Sequence, residues 1–200
     1  MKRKTIFILL FIIVFLIFVF LDFYTSKLTY QKNKEQSEKI LKIAHELVDN
    51  QCDSETPVET NDFSVITEKN ENDILGVLYI EKLNIEAPIK EGTTQEIMKT
   101  SVGHFTESDF WNGNVSLASH NSGTSMHYFK DIDKLQVNDE IKYKTELGER
   151  IYKVQTIERI SDTDWSKVVG NRSGEDNTLT LITCINGQPD YRLCVQGKEI

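Results

Sequence analysis

The hydrophobic pattern divides the chain into an apolar N-terminal run, a polar middle segment and a region of short alternating stretches. Residues 5–21 are apolar apart from the first, and the basic residues 2–4 precede them. Such a run is about as long as the shortest helix that spans a bilayer, and it has no polar face. No small residues follow it that would form a signal-peptidase site. We therefore predict an uncleaved transmembrane anchor over residues 5–24, with segment 1–4 in the cytoplasm and the rest outside.

The polar segment over residues 25–73 predicts a stalk. From Gln36 to Val48, apolar residues recur at helical spacing between lysines and glutamates, which predicts a short helix standing off the membrane. Residues 50–72 are rich in Asp, Glu, Asn, Ser and Thr, a composition typical of a linker. We therefore expect a partly helical stalk that joins the anchor to a folded domain.

Residues 74–200 alternate short β-prone stretches with turn residues. Strands are predicted at Leu75–Ile80, Ile85–Ile89, Val115–Ala118, Glu140–Thr145, Arg150–Ile160, Thr178–Ile182 and Arg192–Gln196. Short helical turns are predicted at Thr94–Lys99, within Ser125–Leu135 and at Trp165–Val169. Many short strands with few helices predict an all-β barrel or sandwich of about 125 residues. A domain of this size can bury one core without disulfides.

Composition and charge narrow the classes of function. The formal net charge is −8, and no basic stripe is interleaved with aromatic residues, so nucleic acid is a poor candidate partner. The sequence shows no cluster of metal ligands and no phosphate-binding loop, so we expect neither a metal nor a cofactor. The three cysteines, Cys52, Cys184 and Cys194, are too few and too irregular for a disulfide framework.

Cys184 ends a β-prone run, and a turn-rich stretch follows it. A cysteine in this position is either a small buried hydrophobe or an accessible thiol where a strand opens into a loop. A nearby cation would favour its thiolate, which is the reactive form. Cys194 is either a core thiol, which we favour, or a thiol that pairs with Cys184 under oxidation. Cys52 lies in the linker, either as an incidental exposed thiol or as a site of intermolecular pairing.

Four histidines are candidates for the partner of the thiol. His120 follows a predicted strand and precedes a turn, which favours it over the others. His104 follows a glycine and is its competitor. His45 lies in the predicted stalk helix, and His127 lies in a loop rich in small residues. Taken alone, His120 could also be a hydrogen-bonded structural group.

Arg192 lies on the last predicted strand, and its spacing from Cys184 fits two neighbouring antiparallel strands joined by a turn. This arrangement would bring the guanidinium near the thiol. Arginine does not lose its proton, so it would act as a fixed donor to an oxyanion or to a substrate backbone. The alternative is an exposed strand arginine with a solvated head group. A thiol, an imidazole and a guanidinium together are the parts of cysteine-based acyl transfer.

The segment Thr180–Cys184, with the sequence TLITC, resembles the TLxTC motif of sortases. His120 resembles the sortase histidine at the end of a strand, and Arg192 resembles the arginine on the strand after the cysteine. The resemblance covers roughly Ile74–Ile200. The short link after the cysteine is similar to that of class D-like sortases of Firmicutes, whereas Ser119 stands where glycine is frequent before the histidine.

This resemblance implies a sortase-like eight-stranded β-barrel with one or two short helices, preceded by an N-terminal transmembrane helix. It implies a transpeptidase that cleaves the Thr–Gly bond of an LPxTG-like sorting signal on exported proteins. A thioacyl-enzyme would then be resolved by an amine, such as lipid II, a peptidoglycan cross-bridge, diaminopimelate or a pilin lysine.

The same resemblance implies the roles of the site residues. Cys184 would be the nucleophile, His120 the acid and base, and Arg192 the group that holds the oxyanion or the signal peptide. The neighbouring residues Thr183, Ser119 and Asn121 are expected to help in binding the substrate.

Other extracytoplasmic cysteine enzymes of the cell wall are disfavoured by residue order. In an L,D-transpeptidase an arginine usually lies two residues after the cysteine, where this chain has Asn186. In an NlpC/P60-like hydrolase the cysteine precedes the histidine, whereas here Cys184 follows His120. A third alternative is a membrane-tethered β-domain that only binds a partner and whose thiol is inert.

Overall fold

The computed structural model describes residues 2–49, 73–169 and 176–200, so that Cys52 and the predicted linker lie outside the described residues. Three helices and eight strands are present in the described part, together with two short 3-10 turns, Glu81–Leu83 and Ile132–Lys134. The helices are α1 (Lys2–Asp49), α2 (Gln95–Met98) and α3 (Ser166–Val169). The strands are β1 (Ile74–Ile80), β2 (Ile85–Glu91), β3 (Val102–His104), β4 (Asn114–Ala118), β5 (Glu140–Thr145), β6 (Gly148–Ser161), β7 (Thr178–Ile185) and β8 (Gln188–Glu199).

The eight strands form a closed barrel in the order β1-β2-β3-β4-β7-β8-β6-β5, which confirms the predicted fold class. The pairs β2–β3 and β4–β7 are parallel, and the other pairs are antiparallel. Apolar side chains from alternate strand positions fill the interior. The largest fully buried side chains are Tyr143, Tyr152, Leu78, Ile80, Ile89 and Leu117 from the strands and Phe129 from the segment between β4 and β5.

Strands β4 and β7 are buried on both faces, unlike β5. Strand β5 alternates between buried and more exposed positions, whereas every residue of β4 is buried. One face of β4 and β7 lines the barrel interior, and the other is covered by an outer apolar cluster. The outer cluster is defined by Phe105, Ala118, Ile160, Val168, Ile182 and Cys194. This double burial fixes the two strands whose ends carry the candidate site.

The connection between β7 and β8 is tighter than the loop that we expected after Cys184. Strand β7 continues to Ile185, which pairs with Gln188 across a two-residue turn, Asn186–Gly187. The dipeptide Asn-Gly is a strong hairpin signal, and Gly187 has a φ of 75°, which glycine adopts without strain.

Helix α1 is one continuous helix, whereas the sequence predicted an anchor and a separate short helix. The first proline of the chain is Pro57 and the first glycine is Gly76, so no helix breaker interrupts residues 2–49. The side chains of residues 6–21 are exposed, and α1 is long and apolar enough to cross a membrane. Its far end packs on the barrel, where Ala44 forms a small buried cluster with Val77.

Candidate active site

The carboxyl ends of β4 and β7 meet at one edge of the barrel. These strands are parallel, with Ala118 opposite Ile182, and the Ser119 amide donates to the Ile182 carbonyl at 3.4 Å. His120 lies two residues after Ala118, and Cys184 lies two residues after Ile182. The parallel register therefore brings the histidine and the cysteine to the same edge, although they are far apart along the chain.

Strand β8 adds the arginine to this edge. Cys184 lies directly opposite Arg192 in the antiparallel β7–β8 pair. Side chains of directly opposed residues share a face, with their Cβ atoms about 5 Å apart. Ile182 and Cys194 are also opposed, and both belong to the outer cluster. Since side chains alternate along a strand, Cys184 and Arg192 point to this outer face and not to the barrel interior.

Cys184 is an exposed free thiol, in contrast to the buried Cys194. Its main-chain carbonyl accepts a hydrogen bond from the Asn121 side-chain amide at 2.7 Å. The same amide donates to the side chain of Asn186 at 3.2 Å. Asn121 thus ties the segment after β4 to the β7–β8 turn, and it does so through the residue that carries the thiol.

His120 is half-buried, and its Nε2 atom has no hydrogen-bond partner among the described residues. Burial lowers the pKa of His120 from its ordinary value of 6.5, because desolvation disfavours the charged ring. The ring is therefore mainly neutral at pH 7. A buried ring nitrogen without a partner is ready to exchange a proton with a bound ligand.

Contacts with its own strand hold Arg192. One terminal nitrogen, Nη1, donates to the carbonyls of Pro189 at 2.7 Å and Tyr191 at 2.8 Å. These carbonyls lie in a bulge of β8, since β7 places no residue opposite 189–191. The other terminal nitrogen, Nη2, lies 4.0 Å from a carboxylate oxygen of Asp162, which makes only a weak, partly exposed ion pair. The guanidinium is therefore oriented from one side and keeps further donors for a ligand.

The expected helper residues mainly join β4 to β7. The Thr183 hydroxyl donates to the Ser119 carbonyl at 2.8 Å, and both residues are buried. The Ser119 hydroxyl has no partner among the described residues. Burial favours a positioning role for this pair over direct contact with a substrate.

His104, the competing histidine, lies on a different face. Its Nδ1 lies 3.0 Å from the Glu91 carboxylate, and its Nε2 lies 3.0 Å from the Asp109 carbonyl. Its partner in the β3–β4 register is Leu117, whose side chain belongs to the barrel interior. His104 is therefore a buried, hydrogen-bonded histidine directed away from Cys184.

The other two histidines belong to the contact between α1 and the barrel: His45 lies on α1, and His127 lies on the barrel beside it. His45 Nε2 is 3.0 Å from the Glu86 carboxylate, and the His127 ring stacks on Tyr30. No group of three or more His, Cys, Asp or Glu residues that could hold a metal ion lies within the described ranges.

Asn114, at the end of β4 opposite the candidate site, supports α3 and was missed by the sequence analysis. Its side-chain amide donates to the carbonyls of Lys167 and Val168, both at 2.9 Å. Its side-chain oxygen accepts from the hydroxyls of Thr178 at 2.9 Å and Thr180 at 2.8 Å. Asn114 thus fixes α3 against β4 and β7. The available signal was an asparagine at the start of an apolar strand, where asparagine is depleted.

Three comparisons relate this geometry to known proteins. The family model described as the sortase domain matches residues 78–200. Among curated proteins, Sortase D of Bacillus subtilis strain 168 is 28% identical over 131 residues, which cover 62% of this chain and 63% of the relative. The match therefore spans less than two thirds of that relative's length.

Two solved structures extend the comparison. The Clostridium perfringens Sortase D5 transpeptidase is 26% identical, with a TM-score of 0.59, covering 86% of this chain and 98% of that chain. Sortase C of Clostridium perfringens, solved with the C-terminal cell wall sorting motif, is 24% identical, with a TM-score of 0.59, covering 83% and 90%. The likeness to this sortase C supports the fold alone.

Proposed function

Since the chain belongs to the sortase family, we propose that it is a membrane-anchored cysteine transpeptidase that cleaves LPxTG-like sorting signals and transfers the protein to an amine. The observation that carries the proposal is the meeting of three strand ends. Cys184 lies opposite Arg192, and the parallel β4–β7 pair brings His120 to the same edge. These residues supply the nucleophile, the oxyanion donor and the acid–base group of acyl transfer.

In the first half-reaction, the Cys184 thiolate attacks the threonine carbonyl carbon of the Thr–Gly bond. A C–S bond forms, and the carbonyl oxygen becomes an oxyanion that the Arg192 guanidinium stabilises. Protonated His120 gives its proton to the glycine nitrogen as the C–N bond breaks. The glycine amine leaves, and a thioester joins the sorted protein to Cys184.

In the second half-reaction, neutral His120 takes a proton from the incoming amine, which attacks the thioester carbonyl. The new C–N bond forms, and the C–S bond breaks to release the Cys184 thiolate. The lowered pKa of His120 makes its protonated ring a stronger acid for the first step and leaves it neutral for the second. The supported helper roles are positional: Thr183 and Asn121 fix the ends of the strands that bear these groups.

We extend the proposal to the partners and the location. The donors are exported proteins with a C-terminal sorting signal, consistent with the sorting motif described for one structural relative. The acceptor is an amine such as lipid II, a peptidoglycan cross-bridge or diaminopimelate. Helix α1 spans the membrane with its basic N-terminus in the cytoplasm, so that the barrel is extracytoplasmic.

The test is cleavage of an LPxTG peptide by the full chain in detergent, with mass analysis of the fragments. We expect cleavage between Thr and Gly by the wild type, and none by Cys184→Ala. The matched control is Cys194→Ala, which removes the other free thiol of the barrel and should retain cleavage. A methanethiosulfonate reagent should abolish wild-type activity by modifying the exposed thiol.

Unchanged turnover in Cys184→Ala would refute the proposed nucleophile. A barrel that only binds a partner would cleave no peptide in any variant and would keep Cys184 inert toward the reagent.

A further inference from the structure

Helix α1 contacts the barrel in an order that fixes which end of the barrel lies nearer the apolar run. Close to that run, the Tyr30 ring stacks on His127 with 5.3 Å between ring centroids, and the Asn33 amide donates to the Thr124 carbonyl at 2.8 Å. At the far end of α1, Asp49 pairs with Lys144 of β5 at 2.6 Å.

Between these points, further contacts keep α1 against the barrel wall. The Ser37 hydroxyl shares a hydrogen bond with the Tyr128 hydroxyl, and both groups are at least partly buried. One turn before the end of α1, Ala44 is fully buried in a cluster with Ile74 and Val77 of β1. The contacts extend over about five turns of helix, so α1 and the barrel form one body with one orientation.

The loop that α1 touches first belongs to the candidate site. It begins directly after His120 with Asn121, whose amide bonds the Cys184 carbonyl at 2.7 Å. It returns to the site at Phe129, whose amide donates to the His120 carbonyl at 3.2 Å. Thr124, which accepts from α1, lies within this loop. The catalytic edge is therefore the end of the barrel nearer the apolar run.

The rise of α1 per residue gives the distance of the candidate site from the hydrocarbon core. Asn33 is twelve residues beyond Leu21, the end of the apolar run, and α1 rises 1.5 Å per residue, which gives about 18 Å. Thr124 is separated from Asn121 by at most about 10 Å of chain. Cys184 therefore lies about 10–30 Å above the hydrocarbon core. A flexible stalk over residues 25–73 would instead reach up to about 150 Å.

The charge of α1 near the membrane is an independent observation that fits a bilayer surface. Lys27, Lys32 and Lys34 are exposed there, and Asp22 is the one acidic residue between Leu21 and Lys34. The chain as a whole is acidic, so this short basic stretch runs against its net charge. Basic residues just outside a transmembrane segment are attracted to anionic lipid head groups.

We propose that α1 docks the barrel at a fixed height with its catalytic edge toward the bilayer. The enzyme then acts on a polypeptide held in the same membrane, whose scissile bond lies within about 10–30 Å of the hydrocarbon core. The proposal rests on the proposed function for its chemistry and on the docking of α1 for its geometry.

The first experiment measures height without using catalysis. The full chain with Cys52→Ser is placed in nanodiscs of phosphatidylcholine and phosphatidylglycerol, and a fluorophore is attached to Cys184. Energy transfer to a lipid-surface fluorophore should give one narrow distance. A seven-residue alanine-rich helical insertion between Tyr24 and Thr25 should increase this distance by about 10 Å. Seven residues make about two helical turns, so the insertion nearly preserves the orientation of the barrel around the helix axis.

The matched control places the same seven residues in the linker, after Gln51. The distance should not change, because the docking of α1 and not the length of the linker sets the height. A broad distance distribution in the wild type would overturn the proposal, and so would an equal increase from both insertions.

The second experiment measures reach. LPxTG peptides are anchored in the same nanodisc through lipid groups and spacers of graded length. The insertion after Tyr24 should move the best spacer toward greater length by about three extended residues, while turnover of a soluble peptide stays unchanged. An optimum that does not move would overturn the proposal. Loss of turnover with every peptide would refute the proposed function and leave the distance result standing.

Discussion

Two free thiols on paired strands illustrate how local environment separates a reactive group from a packing group. Cys184 is exposed at the end of β7, whereas Cys194 is buried opposite Ile182. Burial, as the largest cause, raises the pKa of Cys194 to about 12, and the nearby Glu158 carboxylate adds to the effect. The Cys194 thiolate is therefore scarce at neutral pH, and only Cys184 of this pair suits nucleophilic chemistry.

Substitution of His120 and of His104 tests which of the two histidines takes part in catalysis. We expect His120→Ala to abolish peptide cleavage with little change in melting temperature, because its Nε2 atom has no hydrogen-bond partner among the described residues. We expect His104→Ala to retain cleavage but to lower the free energy of unfolding by about 2–3 kcal/mol, because it removes a buried ring that is hydrogen-bonded to Glu91 and Asp109. Cleavage rates and thermal melting of the two variants provide the measurement, and the opposite pattern would exchange the two assignments.

Arg192→Lys tests whether the guanidinium acts on the substrate. An ammonium cannot keep the Pro189 and Tyr191 carbonyls and also donate to an oxyanion in the same geometry. We expect kcat/KM to fall about 10²–10³-fold. Arg159→Lys is the control, because Arg159 stacks on Tyr191 nearby but does not lie opposite Cys184. Near-normal rates for Arg192→Lys would assign the arginine to structure alone.

At the scale of elements, local patterns predicted the strands that have one clear face. The alternation of Glu140–Thr145 gave the bounds of β5, and Thr94 caps α2 by accepting from the Ile97 amide. Strand β3 was missed because its three residues are too short for a period to show. Its position depends on parallel pairing with β2, which is a long-range contact.

Asn114→Asp tests the support that β4 gives to α3. The substitution replaces an amide donor with an oxygen that faces the carbonyls of Lys167 and Val168. We expect a loss of roughly 3 kcal/mol or more in the free energy of unfolding, because the group is buried. The control Asn112→Asp is exposed beside Arg150 and should change stability little. Thermal melting of both variants decides, and equal melting temperatures would contradict the role of Asn114.

At the scale of the whole molecule, the site depends on contacts that no local pattern contains. The spacing of Cys184 and Arg192 was enough to predict their antiparallel pairing, since a hairpin joins them. The approach of His120 depends on the parallel β4–β7 pair, which the residue pattern did not predict. The bond from Asn121 to the Cys184 carbonyl follows from that register, and a sequence carries no sign of it.

Removal of α1 tests whether helix and barrel form one stable unit. A chain that begins at Asp73 loses Ala44 from the cluster with Ile74 and Val77, and with it the partly buried Ile40 and Leu41. We expect its free energy of unfolding to fall by about 3 kcal/mol, with increased binding of a hydrophobic dye.

The control is a chain that lacks only residues 1–24, which keeps the docked part of α1 and should melt near the wild-type temperature. Melting curves and dye fluorescence provide the measurement. Equal stability of both truncated chains would show that the docked helix adds nothing to the barrel.

The pairing of β1 with β5 closes the barrel, which matters when many copies of the protein lie close together. Copies of a protein confined to a plane collide often and in similar orientations. An open sheet has unpaired edge strands that can pair with strands of neighbouring copies, which is a route to aggregation. Closure satisfies the backbone groups of β1 and β5 internally, so that copies held side by side, as the proposed membrane anchor implies, do not fuse into fibres.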